Sequence, residues 1–188
     1  ISMRSSSARI LSLLLLASFG VKAERIPVVV SPRASEPEKL AAAQLAEHLK
    51  RVYPDHEFAP ADRQQASGMS ILLRVGKNLP SPEAFRIYTQ RSGSVAVLEA
   101  GSGRAVLFAA YALLEKLGWG FYLSEDAAPP ARTGPVRLEE WKLEDAPAFA
   151  DRVVFDWHNF LSSCSTWELE DWQRWIGQSA KMRFNAIM

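Results

Sequence analysis

Asp156, Trp157, His158 and Asn159 stand in a row, the most concentrated supply of chemically useful side chains in the chain. They follow Val153, Val154 and Phe155, whose β-branched and aromatic types suit a strand buried on both faces. In α/β folds, function gathers at the carboxyl ends of parallel strands, and these four residues occupy such an end. An indole presents a flat apolar face for stacking, while Asn, Asp and His donate and accept hydrogen bonds. Asp156 and His158 alternate with Trp157, so the three cannot all face one way. The alternation favours Trp157 and Asn159 as ligand contacts. Packing and loop hydrogen bonds are the competing role for all four, more so for Asp156 and His158.

The elements that must hold this row run from Arg152 to Met188. After a polar loop, Leu161 to Ser165, the spacing of Ser165 and Glu168 predicts a capping box. Trp172, Trp175, Ile176, Ser179, Ala180 and Arg183 then recur at three and four residues, one stripe of a helix. Glu168, Glu170 and Asp171 open that helix, where acids suit the positive end of the dipole. Trp167, Trp172 and Trp175 read as residues that pack against the barrel rather than as platforms. Asn185 to Met188 begins a second strand. A β-α-β unit of this kind opens either a (β/α)8 barrel or a doubly wound sheet.

Upstream, Arg4 and Arg9 precede an apolar run from Ile10 to Phe19, and Val21 and Ala23 suit a cleavage site before Glu24. This predicts a secretory signal peptide over residues 1–23 and an exported product, periplasmic or extracellular. The run is short of the ~20 residues that span a bilayer, so no membrane span is expected after cleavage, with a retained N-terminal anchor as the alternative. The leader holds three of the 22 basic residues and none of the 21 acidic ones, leaving a formal charge of about −2. Nothing there calls for nucleic acid. The single cysteine, Cys164, rules out an internal disulfide and a Cys-rich zinc site. No cofactor and no metal is expected.

Residues 24–146 read as β-α-β-β-β-α-β-β, a mixed sheet with its helices on one face. Ile26 to Val30 is a strand, placed near an edge because Pro27 lacks a donor. Ser35, Pro37 and Glu38 start an amphipathic helix running to Val52, with His48 among its charged, solvated positions. A short edge strand is expected at Glu57 to Ala59 and a clear one at Met69 to Val75. Phe85 to Thr89 and Ser94 to Glu99 predict a hairpin. Gly101-Ser102-Gly103 leads into a buried helix, Ala105 to Leu117, closed by Gly118 in a left-handed cap. A dinucleotide fingerprint would need a third glycine where Val106 stands, so these glycines read as a tight turn. Trp119 to Ser124 and Val136 to Leu143 read as further strands. A linker, Glu144 to Ala150, closes the unit.

Gly101 to Arg104 followed by Tyr111 to Trp119 resembles the end of the small α/β domain that precedes the barrel in several exo-glycosidase families. These include bacterial β-hexosaminidases, α-N-acetylglucosaminidases and α-glucuronidases. Pro147, Phe149 and Arg152 resemble the P-x-F-x-x-R lead-in to their (β/α)8 barrel. Arg152, Trp157 and Asn159 are similar to the R-x-x-x-x-W-x-N segment of glycoside hydrolase family 67, the α-glucuronidases. Ser179 to Ile187 is similar to their first barrel helix and second strand. Phe160 and Leu161 stand where hexosaminidases carry Arg-His, a departure from that activity.

The resemblance implies a hexosaminidase domain-2-like α/β sandwich over residues 24–146 and the first β-α-β of a truncated barrel over residues 151–188. It implies an exported, α-glucuronidase-like glycoside hydrolase with a carbohydrate substrate. Trp157 would then wall the sugar pocket, with Asn159, His158 and Asp156 as further substrate contacts. Glycoside cleavage needs two carboxyl groups about 5–9.5 Å apart. In these families both come from later strands, so no catalytic residue is expected within this chain. A non-catalytic carbohydrate-binding or scaffold protein is the second reading. A nucleotide-binding α/β protein, resting on Gly101 and Gly103, is the third.

Overall fold

The computed structural model describes residues 23–156 and 164–188. Ten strands, β1 to β10, and three helices, α1 to α3, occur among them, and they form an α/β fold. The main sheet has strand order β2-β1-β3-β5-β4-β8. Its strands are β1 (Arg25–Val29), β2 (Glu57–Ala61), β3 (Ser70–Val75), β4 (Phe85–Gln90), β5 (Val95–Ala100) and β8 (Leu143–Asp145). β2, β1, β3 and β5 are parallel, and β4 runs antiparallel to both β5 and β8.

Register sorts the side chains by face. Ile71, Leu73, Ala96, Leu98 and Ile87 join α1 (Glu36–Val52) and α2 (Gly103–Lys116) in one buried core. On the opposite face, Arg74, Glu99 and Arg86 stand in one cross-strand row. Helix α1 starts where its residues predict: the Ser35 N–H donates to Glu38 Oε2 at 2.9 Å, and Pro37 sits in the first turn, where its missing N–H costs nothing. Gly118 has φ +108° and ends α2 as expected.

Several expectations are corrected. β1 is an inner strand despite Pro27. Val30 N–H donates to Ala61 on the β2 side, so the alternation of a parallel strand turns the Pro27 nitrogen toward β3. There pairing is confined to Val28 and Val29, and no ladder bond is lost. His48 is 4% exposed rather than solvated. Its ring meets Trp119 edge-on at 4.5 Å, and its Nδ1 lies 2.8 Å from the Gln44 carbonyl. Within Trp119–Ser124 only Gly120–Phe121 (β6) is strand, paired with Asp126–Ala127 (β7) in a small hairpin. Val136–Leu143 holds a 3-10 turn at Leu138–Glu140, and the last strand of the sheet shifts into the expected linker as β8.

β9 (Val153–Val154) and β10 (Ala186–Ile187) form a separate two-stranded parallel sheet, joined by α3 (Leu169–Lys181). The expected second strand is therefore present and parallel to the first. Burial on both faces is not: Val154 is buried, while Val153 is 40% and Phe155 53% exposed. β10 is the one strand paired with β9 among the described residues, so these faces have little to cover them. The helix cap also moves. Glu168, not Ser165, is the N-cap of α3, and its N–H donates to Asp171 Oδ2 at 3.2 Å. Cys164–Thr166 forms a 3-10 turn instead, which takes Ser165 out of register with the helix.

Candidate functional site

Asp156 is the member of the chemical row that falls within the described residues; Trp157, His158 and Asn159 lie outside them. It follows the carboxyl end of β9 and is half-buried. Its Oδ2 is buried with no hydrogen-bond partner among the described residues. Cys164 is buried beside it. Burial, then the hydrogen bond and charge of Asp156, push the Cys164 thiol up from its ordinary value, which makes it a poor nucleophile. No group of three or more His, Cys, Asp or Glu placed to hold a metal occurs among the described residues.

The opposite end of β9 and β10 carries a charged network centred on Glu83. Glu83, 8% exposed, is reached from three directions. Arg152 Nη2 donates to its Oε2 at 2.6 Å, Arg104 Nη2 lies 2.6 Å from its Oε1, and Asn185 Nδ2 donates at 3.2 Å. Arg152 also donates to the carbonyls of Phe149 and Arg183, each at 2.9 Å, and its backbone N–H donates to Asn185 Oδ1 at 2.8 Å. Burial alone would raise the Glu83 pKa. The hydrogen bonds from Arg152 and Asn185 and the charges of Arg152 and Arg104 outweigh it, and the carboxyl sits below the usual range. Glu83 follows Pro82 in a turn where nothing local in the sequence marks it, and Arg152 stands out there only by resemblance.

Two further links tie α3 and the turn after it to the main sheet's unit. Lys181 Nζ donates to Asp126 Oδ2 at 2.5 Å, with His48 Nε2 3.7 Å from the same oxygen. Arg183 pairs with Glu115. Together with Glu83–Arg152, these bonds orient β9 and β10, and so the direction in which the chain leaves β9 at Asp156.

Gly101 and Gly103 have no positive φ, which removes the tight-turn explanation. Space is the reason instead. A Cβ on Gly101 would lie 2.5 Å from the Ser81 carbonyl oxygen, and one on Gly103 would lie 2.2 Å from Ser35 Oγ. The amino end of α2 is already served by Ser102 Oγ, which accepts from Ala105 N–H at 3.3 Å. The Glu38 carboxylate lies 3.4 Å from the Gly103 Cβ position. With an internal carboxylate there, a phosphate would meet like charge, and the nucleotide reading loses its basis.

Two hollows flank α3. One, of about 630 Å³, lies between α1, α2 and α3, with Leu40, Leu107, Phe108, Ile176 and Ala180 in its wall. The other, of about 310 Å³, is lined by Leu123, Ser124, Trp167, Asp171, Arg174 and Trp175. Trp167, Trp172 and Trp175 meet one another edge-to-face at 5.2, 5.6 and 6.0 Å.

No protein-family model and no curated protein matches the chain. Solved structures do. A family GH115 4-O-methyl-α-glucuronidase with specificity for decorated arabinogalactans matches 89% of the chain with TM-score 0.64 and 10% identity. A Streptomyces plicatus β-hexosaminidase mutant in complex with product GlcNAc matches 86% with TM-score 0.55 and 17% identity. The GH20 β-N-acetylhexosaminidase of Streptomyces coelicolor A3(2) matches 88% with TM-score 0.52 and 19% identity. The chain spans 25% of the first and 29% of each of the other two. The fold is glycoside-hydrolase-like.

Proposed function

We propose that this chain is the amino-terminal part of an exported glycoside hydrolase. Residues 1–23 are its signal peptide, residues 24–146 an ancillary α/β domain, and residues 151–188 the opening β-α-β of a (β/α)8 barrel. The observation that carries the reading is the β9-α3-β10 unit, a parallel pair apart from the six-stranded sheet, together with fold likeness to three glycosidases over most of the chain. No helix among the described residues is long and apolar enough to cross a membrane.

The finer reading is α-glucuronidase-like, on the R-x-x-x-x-W-x-N resemblance at Arg152, Trp157 and Asn159. The GH115 neighbour, an α-glucuronidase by its own description, agrees with it. Trp157 would stack on the sugar's C–H face, and Asn159, His158 and Asp156 would meet its hydroxyls. Hydrolysis needs a carboxylic acid to protonate the glycosidic oxygen and a second carboxylate to activate water or attack carbon. Those groups would come from strands after β10.

The test is to express the chain with the coding sequence that follows it and assay uronic acid release from glucuronoxylan and arabinogalactan fragments. Release of uronic acid supports the reading. No hydrolysis, with no carboxylate pair on the middle strands, overturns it in favour of a non-catalytic carbohydrate-binding or scaffold protein.

A further inference from the structure

The hollow between the β6–β7 hairpin and the first turns of α3 has features the Glu83 network and Asp156 do not use. Its walls include the indoles of Trp167 and Trp175, both partly exposed although large apolar rings gain most from full burial. Leu123 and Ser124 form the facing wall, and both are exposed. Asp171 and Arg174 lie at the same hollow and hold each other at 2.9 Å. The Arg174 side chain is 71% exposed, which leaves N–H groups turned to solvent. The other Asp171 oxygen accepts from the Glu168 N–H, which fixes the carboxylate in place.

Aromatic walls beside a fixed carboxylate and a guanidinium match a ligand with C–H faces and rim hydroxyls. A volume of about 310 Å³ stands at the low end of small-molecule sites. It suits one ring rather than a nucleotide. α3 returns antiparallel to β9, so its first turns lie toward the carboxyl end of β9, the end where Asp156 follows. We propose that this hollow is an accessory subsite for one neutral pyranose unit of an oligosaccharide. Trp167 and Trp175 supply the stacking faces, and Asp171 and Arg174 read adjacent hydroxyls. The proposal rests on the carbohydrate reading above, but it requires no hydrolysis.

The test uses the protein extended through its downstream sequence, with cellohexaose, xylohexaose and N-acetylchitohexaose, followed by calorimetry and tryptophan emission. At least one of them should bind and shift the emission. Arg174→Ala, at an exposed position, should weaken that binding about tenfold through the lost charged hydrogen bonds. Ser124→Trp should fill the hollow and abolish binding with an unchanged circular dichroism spectrum. No heat and no emission change with any of the three overturns the subsite. Binding that survives Ser124→Trp unchanged also overturns it, by placing the sugar elsewhere, and leaves the hydrolase reading intact.

Discussion

Arg152 and Glu83 lie 69 residues apart and meet at 2.6 Å, joining the residue before β9 to the loop before β4. The carboxylate is nearly inaccessible, so the bond is both strong and costly to break from one side. Glu83→Gln leaves Arg152 and Arg104 without their counter-charge. The expected loss is about 1–3 kcal/mol, because Arg152 is largely buried while Arg104 is half-exposed and stays solvated. Hydrogen exchange should show the loss first in β9, β10 and α3, with α1 and α2 still protected. Uniform loss of protection across the molecule would contradict a joint that acts locally.

Acid should loosen the same joint. Glu83, Glu99 and Asp126 all have carboxyl pKa values held below their ordinary values of 4.5, 4.5 and 3.8. In each, burial pushes upward and is outweighed: at Glu99 by Arg86 and Arg74, at Asp126 by Lys181, Gln178 and His48. The unfolded chain then binds protons first as pH falls. The stability these groups supply is complete above about pH 5 and declines as pH drops through the depressed folded values. Urea midpoints measured from pH 6 to pH 3 should fall, with a smaller slope in Glu83→Gln.

Two glycines should respond oppositely to alanine. A Cβ on Gly76 would lie 2.3 Å from Glu99 Cγ, inside the row where Arg74 and Arg86 hold that carboxylate at 2.8 and 2.5 Å. Gly76→Ala should cost about 1–3 kcal/mol by displacing Glu99. Gly177 lies in α3 with nothing within 4 Å of its Cβ position. Gly177→Ala should stabilise by about 0.5–1 kcal/mol through helix propensity alone. Thermal melts of both variants decide the matter.

Under the proposed hydrolase reading, Trp157 is the position where activity and stability should separate. In the protein extended through its downstream sequence, Trp157→Ala should lower kcat/KM at least about tenfold, the scale of one lost stacking contact, with Tm little changed. Wild-type kinetics with native folding would return Trp157 to a packing role.

Periodic features were legible. The stripes of α1 and α2, the β4–β5 hairpin and the C-cap at Gly118 all follow from spacing, because each is decided by residues within a few positions. Features made by distant partners were not. His48 sits among charged neighbours in sequence, but Trp119 and Phe121 reach it from across the fold. Glu83 looked like turn filler because Arg104, Arg152 and Asn185 come to it from three other segments. The order of the strands was hidden for the same reason. Of the chemical row, Asp156 alone can be compared with the structure, and its nearest described chemistry is Cys164 rather than another carboxylate.

β8 is three residues long, yet among the described residues it alone lies beside the outer edge of β4. An excised amino-terminal unit that stopped at Trp141 would leave the backbone of Phe85–Ile87 open to a strand from a neighbouring molecule, the usual route to edge-to-edge association. An excised unit that keeps this edge covered therefore has to be cut beyond Asp145. Leu143, Glu144 and Asp145 thus act as a selvedge: they lie at the sheet's border and keep one molecule from knitting into the next.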